Sequence, residues 1–111
     1  MKLPNGERAL VELSKLVDYC LDSTHPRGRH KARVFAARLG VGPPEATSLR
    51  VALLDAAARS DEVFSGTADG FGRRYILDLV VSGPKGDALV RSAWIVRAGE
   101  DFPRFTTCYV L

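Results

Sequence analysis

The sequence predicts an α+β fold, with N-terminal helices packed on one face of a C-terminal antiparallel β-sheet of about four strands. Three observations lead there. Before Ser60 the apolar residues recur at helical spacing. After Ser60 β-branched and aromatic residues dominate, divided by Gly and Pro. Two strand-like runs flank Gly83-Pro84-Lys85-Gly86, which suits a tight type I turn. With 111 residues, 46% of them hydrophobic, the chain is expected to form one domain, with 1–60 its mainly helical half and 61–111 its sheet half.

Each element follows from local chemistry. Met1–Gly6 is a polar lead broken by Pro4 and Gly6, and Arg8–Leu13 fits either a short strand or a first helical turn. Ser14–Asp22 reads as helix, because Leu13, Leu16, Val17, Cys20 and Leu21 fall on one stripe. Pro26 forbids its continuation. A second helix runs from about Arg29 to Gly40, a C-terminal cap glycine, and buries Ala32, Phe35, Ala36 and Leu39. Pro43-Pro44 suits the start of a third helix over Glu45–Arg59, with Leu49, Leu53, Ala56 and Ala57 inward. Glu62–Thr67 fits an edge strand, and Ala68–Gly72 a turn. Arg74–Ser82, Asp87–Ala98 and Arg104–Leu111 are the remaining strands.

The hairpin register follows from its turn. If Gly83 faces Gly86, then Asp78 faces Arg91 and Leu79 faces Val90. Tyr75, Leu77, Leu79 and Val81 with Val90, Ser92, Trp94 and Val96 then form the core face. Ile76, Asp78 and Val80 with Leu89, Arg91, Ala93 and Ile95 form a partly polar face, free for function.

Composition excludes several classes. Nothing at the N-terminus resembles a signal peptide and no apolar run spans a membrane, so the expected compartment is the cytoplasm. Cys20 and Cys108 fit no metal spacing and read as reduced core residues. Gly66 to Gly72 lacks the Lys and Ser/Thr of a P-loop, and no Ser/His/Asp set is recognisable. No metal or cofactor is expected.

The net charge of +3 matters through its clustering. Ser23–Leu39 holds both histidines, His25 and His30, among Arg27, Arg29, Lys31, Arg33 and Arg38, and no acid lies between Asp22 and Glu45. A basic loop feeding a helix, with two imidazoles, suits phosphate or RNA. Each residue also has a plainer reading. His25 can cap a turn. His30 and Lys31 can belong to the wet face of an amphipathic helix. Arg91 can simply pair with Asp78. Thr106, Thr107 and Tyr109 are favoured on any strand, and Trp94 reads as core.

LPN at Leu3–Asn5, HPRGRHKARVF at His25–Phe35, the glycine–proline hairpin, VRSAWIVR at Val90–Arg97 and PRFTTCYV at Pro103–Val110 occur together and in order. They resemble a bacterial domain family of unassigned function, found free-standing and at the C-terminus of large polymorphic toxins. The layout resembles the BECR superfold of barnase, EndoU-type and RelE-type ribonucleases. That resemblance implies metal-independent RNA cleavage, in which the ribose 2′-OH attacks the adjacent phosphate. Under it His25 is the preferred acid/base, with His30 the alternative. Lys31 and Arg91 hold phosphoryl oxygens, and Thr107 and Tyr109 orient the phosphate. Arg27, Arg29, His30 and Thr106 contact RNA. The set is expected to converge on one cleft, and a small antitoxin or immunity protein is the expected partner. A non-catalytic binding, adaptor or antitoxin-side module of the same fold is the alternative, and an inactive copy a third.

Overall fold

In a computed structural model describing all 111 residues, the second half of the chain pairs as a meander. Its strands are β1 (Val63–Asp69), β2 (Gly72–Gly83), β3 (Gly86–Arg97) and β4 (Arg104–Val110). The order in the sheet is β1-β2-β3-β4, and every neighbouring pair is antiparallel. Gly83 faces Gly86, Asp78 faces Arg91 and Leu79 faces Val90, as the turn chemistry predicts. Strand alternation then sorts the side chains. Tyr75, Leu77, Val81, Val90, Ser92 and Trp94 are buried, while Val80 and Leu89 on the opposite face are exposed.

Ahead of the sheet come α1 (Leu13–Lys15), which runs on into a π turn over Leu16–Cys20, then α2 (Arg29–Leu39) and α3 (Ala46–Arg59). Short 3-10 turns at Gly6–Arg8 and Pro43–Glu45 introduce the first and third helical segments. The ambiguous Arg8–Leu13 stretch is chiefly a tether. Leu10 bridges Arg104, donating to Pro103 O (2.9 Å) and accepting from Phe105 N (2.9 Å).

Three helix predictions need correction. In the π turn, Leu21 N donates to Leu16 O at 2.9 Å, one residue beyond α-helical spacing. The wider turn sends Leu16, Cys20 and Leu21 inward and leaves Leu13 exposed. Ala36 of α2 is also exposed, because Ala32, Phe35 and Leu39 alone cover the contact with the sheet. On α3 the buried stripe is Ala46, Leu49, Leu53 and Ala57, with Ala56 half-buried. Gly40 ends α2 as expected, at φ 70°, a conformation that costs other residues a Cβ clash.

The core lies between these helices and one sheet face. Trp94 stacks edge-on against Phe105, with ring centres 5.5 Å apart. Trp94 Nε1 donates to Ser92 Oγ (2.9 Å), and that hydroxyl donates to Leu77 O (2.7 Å). The one buried polar side chain is therefore fully bonded.

β4 carries a bulge. Ala93 faces Thr107 but Trp94 faces Phe105, so Thr106 is an extra residue. Its hydroxyl donates to Ala93 O at 2.9 Å. The extra residue lets Phe105 and Cys108 both face the core, while Thr107 and Tyr109 lie in register with Ala93 and Arg91 on the other face.

Candidate anion-binding site

The π turn, the start of α2 and the last two strands meet around one ammonium group. Lys31 immediately precedes Ala32, the first residue of α2's buried stripe, and so flanks that stripe and reaches over β4. Its Nζ lies 3.4 Å from the Tyr19 hydroxyl and 3.4 Å from Thr107 Oγ1. It also stands 5.4 Å from the centres of both the Tyr19 and the Tyr109 rings. No carboxylate is within ion-pair distance of it. Two hydroxyls thus occupy two of its three N–H donors, and the charge has no anionic partner. Two ring faces stabilise such a cation without neutralising it.

Tyr109 continues the site inward along the sheet, since its register partner is Arg91. The Arg91 fork is bidentate to Asp78, Nε to Oδ1 and Nη2 to Oδ2, both at 2.9 Å. That pair holds the Asp78 carboxyl below the usual carboxylate range and Arg91 above its ordinary value, with Tyr109 adding to the latter. Nη1 of the fork is not engaged by Asp78, and the Tyr109 hydroxyl also acts on the guanidinium.

His25 packs against Tyr19, with ring centres 4.8 Å apart in an edge-on contact. Its Nδ1 accepts from the main-chain N–H of Arg27 and of Gly28, both at 3.0 Å. The imidazole therefore organises the turn that starts α2. In its neutral form it carries its proton on Nε2 and presents a donor. Arg27, Arg29 and His30 are exposed, and Arg29 donates to Pro26 O at 3.3 Å.

Beneath Lys31 the two cysteines are buried, unbonded neighbours, although 87 residues separate Cys20 from Thr107, its contact at 3.7 Å. Hydrogen bonding from the Cys108 thiol, opposed by burial and helped by Thr107 and Lys31, lowers the Cys20 thiol to about 7. The same sulfur contact, with burial, pushes Cys108 up.

The fold thus links His25, Tyr19, Lys31, Thr107, Tyr109 and Arg91 in one run of contacts. It does not close them into the expected cleft. The two cavities of the surface both lie along α3 and share none of these residues. β4 is the last strand of the sheet, so no further strand walls the site. Tyr19 and Cys20 are absent from the sequence-based set. Their one signal is position, directly before the basic loop, and only the π turn shows that they face β4.

These features define a class: a helix-covered meander in which a helix-borne lysine is held between two tyrosines over the edge strand. The chain belongs to the family described as "Domain of unknown function (DUF6883)", whose model matches residues 2–111. No curated protein matches the sequence. Among solved structures, the chain is similar to one from a contact-dependent growth inhibition toxin–immunity protein complex from Klebsiella pneumoniae 342. The TM-score is 0.68 at 19% identity, covering 91% of this chain and 98% of that one. At that identity the likeness is one of fold. No helix is long and apolar enough to cross a membrane.

Proposed function

We propose that the chain is a toxin-type domain that cleaves RNA without a metal, by attack of a ribose 2′-OH on the adjacent phosphate, and that a small protein of the immunity kind neutralises it. The observation that carries this reading is the Lys31 ammonium, pinned between two tyrosines with no carboxylate partner. A cation held in that way is organised for an anion before the anion arrives, which is what stabilising a phosphorane requires. The shared fold with a chain of a toxin–immunity complex supports the toxin assignment and the kind of partner.

Roles follow from donors and acceptors. Lys31 and Nη1 of Arg91 take the non-bridging phosphoryl oxygens. The hydroxyls of Thr107 and Tyr109 orient the phosphate, both lying on the open side of β4. The O2′–P bond forms as the P–O5′ bond breaks; water takes the 2′ proton and returns one to the 5′ oxygen, and His25 Nε2–H donates a hydrogen bond to that leaving oxygen while Nδ1 stays bonded to the turn. Arg27 and Arg29 supply exposed charge along the incoming strand, and His30 an exposed imidazole. Thr106 stays with the bulge, its proton given to Ala93 O.

The test is RNA cleavage in excess chelator by the native chain, Lys31→Ala, Arg91→Ala and a Gly70→Ala surface control. The expected loss is on the order of 100-fold for either cation, with the control unchanged. Equal background cleavage by all four removes the nuclease reading.

A further inference from the structure

The opposite edge of the sheet is unfinished. β1 pairs with β2 only as far as Val63 opposite Leu77. The last bond along that edge runs from Asp78 N to Glu62 O at 3.2 Å. By strand alternation the N–H and C=O groups of Val80 and Ser82 point the same way as those of Asp78. No loop or turn of the chain bonds them there. α3 runs alongside but does not close the edge. Two adjoining cavities of about 530 and 520 Å³ separate them, and Ala52 and Val80 line both. Together they make a groove along α3, from Glu45 to Ser60, or about 22 Å at helical rise. A strand of about six residues has that length.

The walls specify more than an extended chain. Val41, Leu49, Ala52 and Val80 give apolar contact. Glu45, Asp55, Glu62 and Asp78 are the charged residues along it, with no Lys or Arg among them. Asp55 and Asp78 share their charge with Arg59 and Arg91, whereas Glu45 and Glu62 have no ion-pair partner. In a chain of net charge +3 this is an acidic strip. It repels nucleic acid, and it repels the same strip on a second copy.

We propose that this groove docks an extended basic segment of a partner protein, which adds as a strand to the free half of β2. Main-chain bonds to Val80 and Ser82 hold it, alternate apolar side chains enter the groove, and Lys or Arg between them meet Glu62 and Glu45. The proposal does not depend on any activity at Lys31.

The experiment is a titration of the full chain, ¹⁵N-labelled, with an end-capped alternating lysine–valine hexapeptide. Controls are the same peptide with a central proline and an alternating glutamate–valine peptide. The expected result is saturable shifts and slowed hydrogen exchange at the Val80 and Ser82 amides. Proline in the peptide, or Val80→Pro in the protein, should weaken binding roughly tenfold. Val80→Pro removes an N–H that the ladder does not use, so it should fold. Should it not, Glu62→Lys gives the same weakening through charge. Four outcomes overturn the proposal: no saturation, equal binding of the proline or glutamate peptide, shifts centred on Lys31, or shifts at Val80 that grow with protein concentration alone.

Discussion

Gly28 packs directly on the main chain of Tyr19. A β-carbon placed on Gly28 would collide with the Tyr19 carbonyl oxygen and sit 3.1 Å from Cδ1 of its ring. The backbone of Gly28 is right-handed, with φ −90°, so space and not conformation demands glycine here. Gly28→Ala should push the basic turn away from the π turn and cost about 1–3 kcal/mol through overpacking. It should also displace Tyr19 from Lys31. Gly70→Ala is the control, since nothing lies within 4 Å of a β-carbon there. Thermal melts of the two variants, with phosphate titrations followed at the Lys31 amide, check this. Equal melting of the two would remove Gly28 from any role in placing the site.

The buried Ser92 hydroxyl is a relay between Trp94 Nε1 and the Leu77 carbonyl. Ser92→Ala strands the indole N–H in the core, at a cost of about 1–3 kcal/mol. The penalty belongs to the pair. In a Trp94→Phe background, which has no N–H to strand, the same substitution should cost clearly less. Urea denaturation of the four proteins of the cycle measures the coupling. Additive costs would mean that the relay contributes nothing beyond packing.

The sheet register was legible because turn chemistry and alternation agree: one glycine–proline turn fixed Asp78 opposite Arg91 and set both faces. The core position of Trp94 followed from the same register. The site was less legible for two physical reasons. The π turn shifts Tyr19 and Cys20 by one residue relative to an α-helix, and nothing in their spacing announces it. The Thr106 bulge adds a residue to β4, which changes which neighbours share a face. The meeting of Lys31 and Tyr109 was expected through the family resemblance and not through spacing, which specifies nothing across so long a sequence gap, and the lack of a wall beyond β4 was not expected.

The Asp78–Arg91 pair gives stability a definite pH dependence. Arg91 lowers the Asp78 carboxyl below its unfolded value. A group depressed in the folded state stabilises above its unfolded pKa, and that contribution is lost as pH falls through the folded value. Asp78→Asn should therefore lower the melting temperature at pH 7 and converge with the native chain as pH falls below the depressed folded value of Asp78. A constant difference between the two curves across that range would show that the pair is packing alone. Arg91→Ala should produce the same convergence, because the shift exists only while the guanidinium is present.

His25 separates turn-building from chemistry through a single substitution. Its Nδ1 accepts the Arg27 and Gly28 N–H groups, and an asparagine side-chain oxygen can reach a similar position. His25→Asn should keep those two bonds and stay within about 0.5 kcal/mol of native stability, whereas His25→Ala should lose about 1 kcal/mol. Only the native residue carries an imidazole Nε2–H beside Tyr19. If that proton serves the leaving oxygen, RNA cleavage should fall equally in both variants although only one is destabilised. Full cleavage by His25→Asn would leave the imidazole a turn-building role, and the donor to the leaving oxygen would then be sought among the tyrosine hydroxyls around Lys31.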